Sequence, residues 1–199
     1  GSAIVLATVW LSLVYLSAIK IKDIVAFIAF GLLLLPLGLT LLKAYQKERL
    51  FSFLNPEADP LGSGYNLVQS IIAVGSGQLF GMGFGRGTQS HLNFLPEQKT
   101  DFIFATTAEE LGFVGVCLII ALFSILLWRI LKAGNNSGSK AGSLICYSAA
   151  IVIMFQLFVN AGMNMGLLPI TGITLPFVSF GGSSLISLTI IIGLVQSVI

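Results

Sequence analysis

The sequence predicts an all-α integral membrane protein: a polytopic helical bundle of about five transmembrane helices with one long extracytoplasmic loop. Three observations carry this. The chain of 199 residues is 56% hydrophobic and only 9% charged, with a mean hydropathy of +0.98. Soluble domains carry roughly 25% charged residues, so this chain has too few to cover a water-facing surface. Five apolar runs approach the roughly 20 residues that a helix needs to cross a bilayer core of about 30 Å. Those runs lack alternation of apolar and polar residues, and an open sheet cannot satisfy its edges in lipid.

The predicted helices cover residues 3–19, 24–42, 105–130, 143–163 and 183–199, all within one transmembrane domain. The first two are joined by the tight turn Lys20-Ile21-Lys22-Asp23, the third and fourth by the polar loop LKAGNNSGSKAG from Leu131 to Gly142. Residues 43–104 are too polar to span and form the outer loop. A Gly/Pro-rich apolar segment, GLLPITGITLPFVSFGG, links the fourth helix to the fifth. Lys20, Lys22, Arg129, Lys132 and Lys140 share one side with a single acid, Asp23. Short loops with that bias are cytoplasmic by the positive-inside rule, which places the long loop and the Gly/Pro segment outside. Seven of the eight acids, counting Glu109 and Glu110, fall on that outer side.

Several chemistries are disfavoured at this point. A net charge of +2 is too small to suggest a nucleic-acid partner. Cys117 and Cys146 lie inside apolar stretches and read as small buried hydrophobes, without metal-ligand spacing. His91 is the sole histidine, which argues against a His-based metal site or a Ser-His pair and suits a surface loop. No basic leader or initiator methionine precedes the first apolar run, so the chain reads as beginning in the middle of a longer protein. The run GSGQLFGMGFGRG, residues 75–87, holds six glycines but lacks the Lys-Ser/Thr end of a nucleotide loop. It suits backbone approach to a lipid surface or a pyrophosphate, with Arg86 as the cation. Residues 67–74 before it form a short amphipathic stretch fit for the membrane interface.

The candidate chemistry lies where the outer loop enters the membrane, in FLPEQKTDFIFATTAEE. Asp101 stands at the threshold of the third helix, with Glu109 and Glu110 two turns on. On a helical wheel Glu109 falls about 80° from Asp101 and Glu110 about 180°, so one of them can share a cavity with it. Asp101 alone fits an N-terminal helix acid favoured by the dipole. Carboxylates further in cost a few kcal/mol each unless they face a wet cavity, which makes them functional candidates. A desolvated carboxylate also has its pKa pushed upward, towards a useful general base. Glu97, Lys99 and Thr100 flank Asp101 and, with Arg86, are candidates for binding substrate. A divalent cation between Asp101 and a glutamate would have hard oxygen ligands; no other cofactor is suggested. Two prolines and paired glycines break the apolar run between Pro169 and Gly182, and such backbone needs protein or a water-filled cavity around it. Ser183 and Ser184 follow as expected caps of the last helix, whose N-terminus would face an anion.

FLPEQKTDFIFATTAEELGFVG, GLLPITGITLPFVSFGGSSL and NPEADPLGSGYNLVQSIIAVGSG together resemble, in order, three signatures of the SEDS family of peptidoglycan glycosyltransferases (RodA, FtsW and SpoVE). They cover about half of the chain. Gly87-Thr88-Gln89-Ser90 and Asn160-Ala161-Gly162-Met163 look more like the RodA branch than the FtsW branch. Phe180 stands where the family often has Tyr, and Lys99 where His is frequent before Thr-Asp. The resemblance implies polymerisation of lipid II, the undecaprenyl-pyrophosphate-linked disaccharide pentapeptide, outside the bacterial cytoplasmic membrane. An acceptor GlcNAc 4-hydroxyl would displace the pyrophosphate with inversion to a β-1,4 link, during cell elongation or rod-shape maintenance. It implies ten helices in the full family member, a class B penicillin-binding protein transpeptidase as partner, and Asp101 at the essential aspartate position. This chain would be the C-terminal part, lacking five N-terminal helices. Two other readings use the same residues differently: a transporter of lipid-linked precursor, with the acids lining a path, and a non-catalytic scaffold for cell-wall or division proteins. An acid at the outer mouth rather than at mid-membrane favours chemistry over transport.

Overall fold

The computed structural model describes residues 1–16, 44–56, 62–91, 94–95 and 97–198. Among them the chain is helical, with no strand. The helices are α1 (Ser2–Leu16), α2 (Ala44–Leu54), α3 (Ser63–Ser76), α4 (Thr88–His91), α5 (Ile103–Asn136), α6 (Lys140–Asn164) and α7 (Gly182–Gln196). Two of these, α5 and α6, are long and apolar enough to cross a membrane. The shorter apolar helices α1 and α7 pack beside them, α1 against α6 and α7 against α6. The expected second span, 24–42, and the turn with Lys20, Lys22 and Asp23 lie outside the described residues.

Helix α5 buries little of itself inside the bundle and leaves a broad apolar face outward, whereas α6 is the more central of the two. On α5, Phe113, Leu118, Leu122, Ile125 and Trp128 are all exposed. In water that surface would be untenable for a monomer; in hydrocarbon it is the ordinary exterior. The inner faces meet in one cluster built around Phe104, Phe123, Ile130, Cys146, Ile153 and Leu188, closed at one end by Leu175 from the Gly/Pro segment. Cys146 is buried there, as expected, whereas Cys117 is exposed on the outward face of α5.

The outer loop is more ordered than its polar composition suggests, and it carries helices α2, α3 and α4. The amphipathic stretch 67–74 belongs to α3, which turns Leu67, Ser70 and Ala73 inward. Ala73 joins Leu95, Phe102 and Ala105 in a second small core that fixes the loop against the start of α5. The buried Ser70 hydroxyl donates to the backbone carbonyl of Asn164, at 2.9 Å. The loop thus seats on the end of the bundle where α5 begins and α6 ends. Arg129, Lys132 and Lys140 belong to the opposite end, at the α5–α6 connection.

A broken helix and the glycine-rich loop that completes it

Helix α5 consists of two stretches that meet at Gly112, where φ is 66° and ψ is −163°. The break removes two consecutive i→i−4 bonds, and the glycine-rich loop supplies replacements for all four groups. The carbonyl of Glu109 accepts from the Met82 amide (2.9 Å) and that of Glu110 from the Gly83 amide (3.0 Å). The amides of Phe113 and Val114 donate to the carbonyls of Gln78 (2.9 Å) and Leu79 (3.1 Å). Irregular backbone survives at membrane depth only when such groups find partners within the protein. The approach is so close that a Cβ on Gly112 would lie 2.2 Å from the Gly81 nitrogen, and one on Gly81 2.1 Å from the Glu110 carbonyl oxygen. The glycines of this run therefore serve backbone-to-backbone packing.

Both helix glutamates serve the same junction. Glu109 is fully buried. Its Oε1 accepts from the Gln89 amide at 2.8 Å and lies 3.5 Å from the Thr88 hydroxyl; its Oε2 accepts from the Ser90 amide at 2.9 Å. Glu110 Oε1 accepts from the Gly85 amide at 3.0 Å. A buried carboxylate held by two amides has a stable electrostatic home without any substrate.

Candidate active site

Asp101 precedes α5 in a turn, and Phe102, the residue between, has non-helical torsions. A helical wheel extended back to position 101 is therefore invalid. The expected grouping of Asp101 with Glu109 or Glu110 does not form around a common set of neighbours: the glutamates face the 85–90 loop, while Asp101 faces Glu97, Arg49 and Gly172.

Two asparagines one helical turn apart hold the Asp101 backbone. The side-chain amides of Asn160 and Asn164, both fully buried on α6, each donate to the Asp101 carbonyl at 3.1 Å. The Asn160 amide also donates to the Ile173 carbonyl at 2.7 Å, which ties the Gly/Pro segment to the same point. The Ser179 hydroxyl reinforces the link, donating to the Thr100 carbonyl (2.6 Å) and accepting from the Leu175 amide (2.7 Å). The Phe180 amide donates to the Lys99 carbonyl at 2.7 Å. So FLPEQKTD and LPFVSFGG, far apart in sequence, are laced into one platform. Glu97 (φ 55°) and Phe177 (φ 61°) sit in the left-handed region within it, a strain that persists only where surroundings over-determine the backbone.

The carboxyl end of Asp101 sees a distinct environment. Burial pushes its pKa above the ordinary carboxylate value, the Glu97 charge adds to that rise, and the Arg49 guanidinium opposes it. Gly172 lies beside this group: its φ of 68° favours glycine, and a Cβ there would make ordinary contact with Asp101 Oδ2 at 3.4 Å and Arg49 Nη1 at 3.7 Å. Arg49 also donates to the Ile170 carbonyl at 3.3 Å. Thr100 donates to the Glu97 carboxylate at 2.9 Å. Lys99 and Arg86 are exposed, and Arg86 belongs to the glycine-rich loop.

On the other side of Gly172 a groove of about 430 Å³ runs between α1, α6 and α7. Gly172, Thr174, Ser183, Ser184 and Gln156 supply polar groups to its lining. Neither Asp101 nor either glutamate of α5 is among its lining residues, contrary to the expectation that Asp101 and one glutamate share a cavity bordered by the Gly/Pro segment. Nor do the serines cap α7: its N-cap is Gly181, with no side-chain cap bond, and the Ser184 hydroxyl pairs with that of Thr174 at 3.0 Å. Both oxygens of Glu109 and Oε1 of Glu110 accept from the 85–90 loop. Glu97 is the carboxylate placed to share a hard cation with Asp101. Two side chains would leave most of the shell to substrate oxygens and water.

Arg49, Asn160, Asn164, Ser179 and Gly172 were not anticipated as site residues. Paired Asn at i and i+4 inside a spanning helix is itself a signal, because buried amides in lipid must find partners. Arg49 gave none, being one base among five in a loop where charge is ordinary.

The sequence model of the FtsW/RodA/SpoVE family, described as "Cell cycle protein", matches residues 1–199. The chain belongs to this family. "Stage V sporulation protein E" of Bacillus subtilis is 42% identical over 200 residues, covering all of this chain and 54% of that protein. "Peptidoglycan glycosyltransferase MrdB" of Escherichia coli K12 is also 42% identical, over 199 residues, again all of this chain and 54% of the relative. Among solved structures, a chain from "Structural coordination of polymerization and crosslinking by a peptidoglycan synthase complex" matches with a TM-score of 0.78. Its identity is 32%, and the match covers 98% of this chain and 54% of that one. The chain thus spans about half the length of the relatives it matches. Family membership makes it an integral membrane protein of the all-helical class.

Proposed function

We propose that this chain carries the base-bearing part of a peptidoglycan glycosyltransferase that polymerises lipid II at the outer face of the bacterial cytoplasmic membrane. The observation that carries the reading is Asp101: a half-buried carboxyl with a raised pKa, its backbone clamped by two buried asparagines. In the reaction, the Asp101 carboxylate takes the proton of the acceptor GlcNAc 4-hydroxyl. O4 attacks the anomeric carbon of the donor sugar, the bond from that carbon to the phosphate oxygen breaks, and undecaprenyl pyrophosphate leaves with inversion. Arg86 and Lys99, exposed near this end, are proposed to compensate the diphosphate, Arg86 through its planar fork. Glu97 and Thr100 would shape the acceptor side, and Ser183 and Ser184 would offer hydroxyls along the groove. A divalent cation shared by Asp101 and Glu97 is proposed as an aid to diphosphate binding, and its removal by chelator should raise KM for lipid II. A class B penicillin-binding protein is the proposed partner. Placement on the elongation side rests on the RodA-like motifs, since the sporulation and MrdB relatives are equally identical.

The test is polymerisation of labelled lipid II by the full-length protein with its transpeptidase. Asp101→Asn keeps size and removes basicity, and loss of a general base costs about 10²–10⁴ in rate. A wild-type rate in this variant would refute the assignment.

A further inference from the structure

At the end of α5 opposite Asp101, a pocket of about 300 Å³ is lined by Arg129, Lys132, Ala133, Asn136 and Val198. No acid is among these residues. We propose that this pocket binds a phosphate-ester anion, as presented by the headgroup of an anionic phospholipid in the facing leaflet.

Position is the first argument. From Phe113 to Arg129, beyond the break at Gly112, the helix advances by about 24 Å, most of the thickness of a hydrocarbon core. Towards its end the exposed apolar strip of α5 carries Trp128, a residue type that settles at headgroup level, and Leu131 is its last large member. Arg129 and Lys132 stand at this end, so their charges reach the depth of lipid phosphates. Preorganisation is the second argument. The Lys132 ammonium lies over the Trp128 ring, 5.2 Å from its centroid, a cation–π contact that restrains an otherwise mobile side chain. Arg129 adds a planar fork suited to two phosphate oxygens, and Asn136 an amide. Ala133 and Val198 complete the pocket with small apolar surface, fit for the glycerol and first methylenes of a lipid. Basic pockets between spanning helices take anionic headgroups by this chemistry.

The experiment uses the full-length protein in detergent, with thermal unfolding followed as phosphatidylglycerol, phosphatidylcholine or inorganic phosphate is added. Phosphatidylglycerol should stabilise at lower concentration than phosphatidylcholine. Each basic residue contributes about five-fold in affinity, so Arg129→Gln with Lys132→Gln should weaken the effect about 25-fold. Protection by inorganic phosphate, lost in the same variant, with no preference among lipids, would assign the pocket to a soluble phosphate ester. Native mass spectrometry of the wild type gives a readout independent of the variant's folding: one retained phosphatidylglycerol per chain is expected. Absence of retained anion, or an undiminished effect in the double variant, would overturn the proposal.

Discussion

Asp101 draws its properties from three directions, and each can be changed separately. A general base works only when ionised, so the acid limb of the pH–rate profile follows its pKa. Glu97 raises that pKa and Arg49 lowers it. In the full-length enzyme at saturating lipid II, Glu97→Gln should move the acid limb to lower pH and Arg49→Gln to higher pH, read from the midpoint of each limb and not from its height. Shifts in the same direction, or none, would show that Asp101 does not set the limb. Asn160 and Asn164 act on the backbone instead. Losing a buried hydrogen bond costs about 1–3 kcal/mol, so Asn164→Ala should lower thermal stability and kcat while leaving the acid limb in place. The candidate acid and the segments around it were legible in the sequence, because an acid at a membrane threshold and prolines at membrane depth both demand explanation. The residues that position it were not. They lie 59 and 63 positions away in the chain, and only folding brings them to the same carbonyl.

Helix α5 shows what an apolar run conceals. Its hydrophobicity marks a span, and the observed helix, Ile103–Asn136, is longer than the expected 105–130 because hydropathy falls off before the backbone bonding does. The break at Gly112 was invisible, since a lone glycine in a spanning helix is common and its torsions depend on a loop some 30 residues earlier. The glutamates were legible as anomalies, but their partners were not. Gly112→Ala forces a Cβ into a left-handed residue against the Gly81 nitrogen, at a cost of about 2–5 kcal/mol, and should reduce the yield of folded protein. Glu109→Gln loses charge-assisted acceptance from two loop amides, about 1–3 kcal/mol. The two roles for Glu109 then separate by specific activity. If it holds the loop, the melting temperature falls while the rate per folded molecule stays near wild type; if it takes part in chemistry, the rate falls at unchanged melting temperature.

For the whole molecule, the division into an acidic end with broken backbone and a basic end with a short loop was readable from charge placement alone. Inside the 43–104 loop only the amphipathic stretch 67–74, part of α3, was readable; α2 and α4 were not, because α2 owes its order to packing on α3, and α4 to packing on α3 and α5. The topology makes a direct prediction. Single cysteines at Lys99 and at Lys132 should react from opposite sides of the membrane. In spheroplasts a membrane-impermeant maleimide should label the first at once and the second only after lysis. Labelling of both from one side would invert or discard the proposed orientation.

The four hydrogen bonds between the glycine-rich loop and the break in α5 also bear on how this protein enters the bilayer. Gln78, Leu79, Met82 and Gly83 are synthesised before the helix they complete. Were α5 to leave the translocon alone, it would close its own i→i−4 ladder through Gly112, since the two carbonyls and two amides are one another's helical partners. The break is therefore made when those intrahelical bonds are exchanged for bonds to the glycine-rich loop. Its length is locked as well: one residue added between Leu79 and Met82 would put half the replacements out of step. An epitope spliced at Gly138, in the polar α5–α6 connection, carries no such penalty.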